Sequence, residues 1–215
     1  MPELKSEGRR RRWVLLTVGA VAVVTLIVAG VGISQYFSAP LDLQGNRVLY
    51  EDFNPPSAKE SGAIAQHGTD RFVVDSVGLD VPLGSLNSVK GVIEPPEFTS
   101  AYWVRDYGVA PADAATGTVF VVMHSLRNGG SGPGNYLIDV DKRTSKVALG
   151  AKIVVDDKSY TVTGSQVIDK PDVAKASDVW AEVPGRLVVI TCLQRADGAT
   201  TTQNVVIEAQ EDTAQ

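Results

Sequence analysis

The chain has 215 residues, 44% of them hydrophobic, enough for one compact core. Its single cysteine, Cys192, excludes an intrachain disulfide and argues against a structural zinc site, which usually needs four Cys or His ligands. The balance of 20 basic and 25 acidic residues becomes 15 against 23, a net of −8, once the tail's five basic (Lys5, Arg9 to Arg12) and two acidic (Glu3, Glu7) residues are set aside; so acidic a remainder excludes nucleic acid as a partner, because phosphate binding needs a basic face.

The first 12 residues form a basic tail ending in Arg9-Arg10-Arg11-Arg12. An uncharged stretch follows over 13–37, apolar almost throughout as far as Ile33, with the aromatics Trp13, Tyr36 and Phe37 at its ends. About 20 apolar residues span a bilayer core, and a cationic flank stays on the cytoplasmic side. The apolar run exceeds the roughly 7–15 residues of a cleaved leader, and Ser38-Ala39-Pro40 is a poor cleavage signal. The sequence therefore predicts an uncleaved single-pass anchor, with its N-terminus cytoplasmic and everything after residue 40 outside the cytoplasm. In an oxidising compartment, an odd thiol deserves attention as a reactive group.

Residues 38–70 read as a polar linker with Pro55-Pro56 and Gly62, whose His67 is a solvated loop histidine. From Arg71 onward, short β-rich runs alternate with Gly, Pro and Asp punctuation, the pattern of an all-β sandwich or barrel. Strands are predicted over 71–75, 79–83, 118–124, 152–155, 160–168, 186–192 and 204–209. A hairpin turn is expected at Asp156-Asp157, and helical turns at 135–140 and 177–180. No calcium-loop spacing appears, so neither a metal nor any other cofactor is expected.

Two of these strands end in chemistry. Thr118 to Met123 runs into His124, and Leu187 to Thr191 runs into Cys192, with Arg195 three residues beyond. A thiolate is the nucleophilic form of cysteine, an imidazole can pair with it or protonate a leaving amine, and a cation can stabilise the oxyanion formed on a carbonyl. The competing reading of Cys192 is a small buried hydrophobe.

Over about Asp75 to Glu208 the chain resembles the sortases, cysteine transpeptidases of Gram-positive surfaces. The similar segments are Ser76 to Leu83, Glu94-Pro95-Pro96 with Ala101-Tyr102-Trp103, Thr116 to His124, Gly132 to Leu137, and above all Leu187 to Cys192, which ends in Thr-Cys. The resemblance is closest to the actinobacterial class F, with classes E and D as alternatives. It implies a sortase-like eight-stranded β-barrel with short helices over 71–215, preceded by the transmembrane helix. It further implies Cys192 as nucleophile, His124 as acid/base partner and an arginine at the oxyanion. Substrates would be surface proteins with a C-terminal Leu-Pro-x-Thr-Gly-like signal, transferred to an amine of a peptidoglycan precursor or a pilin.

The chain departs from the family pattern at two places. Met123 stands where relatives have glycine, and Thr200-Thr201-Thr202 stands where many carry the arginine. Arg195 is the nearest substitute and Arg127 the fallback; Thr191 could add a backbone amide or hydroxyl. Alternatives are a non-catalytic envelope domain on a sortase-like barrel, and an L,D-transpeptidase-like enzyme. The latter tend to have Ser-x-Gly-Cys with arginine two residues after the cysteine, which this chain lacks.

Overall fold

The computed structural model describes residues 39–48, 56–64 and 69–212. The predicted anchor over 13–37 and His67 lie outside these residues. Among the described residues, no helix is long and apolar enough to cross a membrane.

Among the described residues ten strands form: β1 (Arg71–Val74), β2 (Leu79–Leu86), β3 (Ala101–Gly108), β4 (Thr118–Val122), β5 (Ile138–Asp139), β6 (Thr144–Ser145), β7 (Lys152–Val155), β8 (Lys158–Asp169), β9 (Arg186–Leu193) and β10 (Gln203–Glu211). Two short helices join them, α1 (Pro133–Leu137) and α2 (Lys170–Val173). Eight strands close into a barrel in the order β1-β2-β3-β4-β9-β10-β8-β7, while β5 and β6 pair separately. The pairs β2·β3 and β4·β9 are parallel, and the other barrel pairs are antiparallel.

Side-chain alternation along a strand sends one set inward and the next outward. On β4, β9 and β10 the inward set includes Val119, Val121, Leu187, Val189, Val205 and Ile207, which pack with Phe72, Leu83 and Tyr160 in the main core. The outward set, Phe120, Val122, Val188, Ile190 and Val206, forms a second core with Leu86, Tyr102, Val104 and Val179. Trp180 covers it, its ring 5.1 Å from both Phe120 and Tyr107 and its Nε1 donating to Val173 O at 2.7 Å. The segment after β8 thus roofs the outer face, and β4 and β9, buried on both sides, read as nearly continuous apolar runs.

Several expectations need adjusting. The sequence reading passed over β3, where Arg105 and Asp106 interrupt the apolar pattern; Arg105 is held by Ser85 Oγ and Asn87 Oδ1, and Asp106 by Ser88. β3 also ends at Gly108, at φ 69, where a Cβ would overlap Thr118 O and sit 2.8 Å from the Phe120 ring. The helical turn placed over 135–140 begins earlier, at Pro133, and the helix at Lys170–Val173 was not anticipated. Parts of the 38–70 linker engage the barrel: Leu43 N donates to Ser131 O at 2.8 Å, and Ile64 bridges Ser85.

Candidate active site

The parallel pairing of β4 and β9 positions the two predicted residues. Its register runs from Thr118↔Arg186 to Val122↔Ile190. Two residues further along come His124, just past the end of β4, and Cys192, still on β9. Cross-links continue the ladder past the last paired residues: Met123 N donates to Ile190 O at 3.3 Å, and Thr191 Oγ1 donates to Met123 O at 2.9 Å. Ser125 Oγ then donates to Cys192 O at 2.5 Å, and Gln194 Nε2 donates to both Ser125 O and Ser125 Oγ at 2.8 Å. Neighbouring strands lie about 4.8 Å apart, so the two backbones run side by side where they carry His124 and Cys192. By alternation, both residues share the outward face of Val122 and Ile190.

Met123, where the resemblance leads one to expect glycine, is buried in the main core at 3% exposure, an inward position that favours an apolar side chain. Thr191 also takes an inward position, and its hydroxyl is spent on Met123 O.

The histidine segment is held by Asn135. Its Oδ1 accepts from Leu126 N at 2.7 Å and Gly132 N at 2.8 Å, and its Nδ2 donates to Leu126 O at 2.8 Å. Gly134 N donates to His124 O at 2.8 Å, so the first turn of α1 sits directly against the histidine backbone. Asn135→Ala strands two N–H groups and one carbonyl in a half-buried loop, and a loss of roughly 2 kcal/mol is expected. Chemical denaturation measures it; an unchanged midpoint would mean that the loop holds its shape without this clamp.

His124 Nε2 lies 2.9 Å from Pro95 O, and its ring meets Phe98 edge-on at a 5.0 Å centroid separation. A carbonyl only accepts, so Nε2 carries the proton and Nδ1 keeps the lone pair. Burial holds the His124 pKa down to about 4; the bond to Pro95 O opposes this shift and the Lys170 ammonium reinforces it. The imidazole is therefore neutral at pH 7 and able to accept a proton. Nearby, burial raises the Glu94 carboxyl, with the same Lys170 opposing.

This shift has a consequence for stability. The unfolded chain protonates its histidines near pH 6.5. Between about 6.5 and 4 the unfolded state binds more protons at this position, so His124 lowers stability as pH falls through that window. Thermal melts at pH 7 and pH 4.5 should therefore show a smaller acid-induced drop in His124→Gln than in the parent chain. Equal drops would mean that the ring titrates alike in both states.

The arginines sit elsewhere in their chemistry. Arg195 is exposed, and its fork closes on Asp197: Nε reaches Oδ1 at 3.0 Å and Nη2 reaches Oδ2 at 2.6 Å. Arg127 Nη1 donates to Thr200 Oγ1 at 3.1 Å. Both border a cleft of about 380 Å³, together with Asn128, Gln194 and Asp197, that neither His124 nor Cys192 lines. Sequence reasoning overlooked Ser125, Asn135 and Gln194. Of these, Asn135 carried a readable signal, following Pro133-Gly134 where a helix start needs a side chain reaching back to its first backbone N–H. Among the described residues, no group of three or more His, Cys, Asp or Glu side chains is placed to hold a metal.

No protein-family model matches this chain, and no curated protein matches it. Solved structures do. Sortase A of Listeria monocytogenes is 23% identical, with 67% of this chain and 87% of that one covered and a TM-score of 0.48. A mutant of sortase C-1 from S. pneumoniae is 12% identical, covering 77% and 75%, with a TM-score of 0.50. Sortase C-1 from Actinomyces oris is 12% identical, covering 69% and 77%, with a TM-score of 0.49. The likeness is one of fold: the chain carries an eight-stranded barrel of the sortase type.

Proposed function

We propose that the chain is a membrane-anchored cysteine transpeptidase of the sortase kind, closest to class F. The observation that supports this reading is the parallel β4·β9 pair, with His124 and Cys192 each two residues past its last paired residues and the two segments tied together through Ser125. The thiolate of Cys192 attacks the carbonyl carbon of a scissile amide; a C–S bond forms and the π electrons move to oxygen. Collapse of that oxyanion breaks the C–N bond, and the imidazole, holding the proton taken from the thiol, gives it to the departing amine. A second amine then attacks the thioester, giving a proton to the imidazole, and a new C–N bond forms as the C–S bond breaks and the thiolate is released. The substrate is a surface protein with a Leu-Pro-x-Thr-Gly-like signal, and the acceptor is a peptidoglycan-precursor or pilin amine. The anchor over 13–37 tethers this chemistry at the outer face of the membrane. Arg195, the oxyanion candidate suggested by the resemblance, would have to release Asp197 to serve.

The test is incubation of the full chain, in detergent, with a sorting-signal peptide and a primary-amine acceptor. Cleavage with formation of the amine adduct is expected. The enclosed His124 ring, held by Pro95 O and Phe98, favours a second reading, a non-catalytic envelope domain on the same barrel. An intact peptide and a Cys192 inert toward soft electrophiles would select that reading.

A further inference from the structure

The oxyanion of the proposed reaction calls for a hydrogen-bond donor or cation, and the register of the barrel offers a cation that no motif announces. Across the outer face, Cys192 on β9 pairs with Asn204 on β10, and Asn204 pairs with Ile168 on β8. Ile168 belongs to the outward core, so this row lies on the face that carries Cys192. Two residues past Ile168, just beyond the end of β8, comes Lys170, the first residue of α2, whose backbone N donates to Thr202 O at 2.8 Å. Lys170 thus stands beside Thr202, two strands and two residue pairs from Cys192. At about 4.8 Å per strand, its four-carbon stem can reach across the short Thr202 side chain toward the thiol. Lys170 is exposed, and its ammonium makes no hydrogen bond or ion pair among the described residues. Its charge is felt by both His124 and Glu94. The guanidinium of Arg195, by contrast, is closed on Asp197.

We infer that Lys170 is a catalytic residue of this site, its ammonium lying over Cys192 to pair with the thiolate and then with the oxyanion. When sulfur attacks the carbonyl carbon, the electron pair moved to oxygen is held against the Lys170 ammonium. The same pair returns to carbon as the C–N bond breaks, so Lys170 neither gains nor loses a proton. The inference rests on the proposed thiol chemistry, and the experiment separates the two.

The test compares alkylation of Cys192 in the full chain by anionic iodoacetate and neutral iodoacetamide, with sites assigned by peptide mass spectrometry. A cation over the thiol favours the anionic reagent. In Lys170→Ala the iodoacetate-to-iodoacetamide rate ratio should fall roughly 3–10-fold. Lys170→Arg should keep the ratio, and Thr202→Arg added to Lys170→Ala should restore it. Peptide cleavage by Lys170→Ala should fall about 10²-fold, as when an oxyanion donor is removed. A reactive Cys192 whose ratio is the same in Lys170→Ala overturns the Lys170 assignment and leaves the thiol chemistry standing. So does a loss of ratio and cleavage that falls on Arg195→Ala instead. A parent Cys192 inert to both reagents overturns the thiol chemistry, and the Lys170 assignment with it.

Discussion

Cys192→Ala is expected to abolish acyl-enzyme formation and peptide cleavage altogether, while folding stability changes by less than roughly 1 kcal/mol. The loss is complete because in the proposed reaction the sulfur is the atom that bonds to the substrate carbonyl, and the described residues around it offer no second thiol. The fold is spared because Cys192 is only half-buried, and its place in the ladder is made by backbone pairing to Asn204 and by the Ser125 bond to its carbonyl. Cleavage retained by this variant would place the chemistry on another residue.

Gly134→Ala should be the most damaging single-methyl change at the site. A Cβ at Gly134 would overlap Thr191 Oγ1 and lie 2.9 Å from His124 O and 3.0 Å from Ser125 N. Two of these three contacts are backbone, so relief requires α1 to move away from the histidine segment, breaking the 2.8 Å bond from Gly134 N to His124 O. Overpacking of this kind costs about 1–3 kcal/mol. The loss in turnover should exceed the loss in stability, because a 1 Å misplacement of a catalytic group can cost roughly 10²-fold. Thr191→Ala added to Gly134→Ala removes the worst overlap and should recover part of both losses. A Gly134→Ala protein with parental Tm and turnover would mean that α1 shifts without carrying His124 along.

How much was legible in the sequence depended on what each residue answers to. β4 and β9 were readable because both faces of each are buried, which leaves long apolar runs ending in His124 and Cys192. β3 was hidden because its charged residues answer to partners far away in sequence, such as Ser85 for Arg105, which no local pattern reveals. Cys192 and His124 could be singled out by residue type and position, but their side-by-side placement follows from a parallel register that the sequence does not display. The arginine expectation followed proximity in sequence, and Arg195 lies in a tight turn whose own Asp197 answers its charge. Lys170 was invisible for the opposite reason: 22 residues before Cys192, it is brought near only by the β8·β10·β9 pairing. Ser125 and Gln194 are short-range neighbours of His124 and Cys192, yet their bonds cross between the two segments, so spacing alone does not disclose them.

The central claim is that Cys192 forms a thioester with its substrate. Intact-protein mass spectrometry of the full chain mixed with a sorting-signal peptide, quenched in acid within the first turnovers, tests it most directly. The account predicts a mass increase equal to the acyl half of the peptide, located on Cys192, released by a primary amine and missing from Cys192→Ala. A cleaved peptide with no adduct on Cys192, or an adduct that survives in Cys192→Ala, would contradict it.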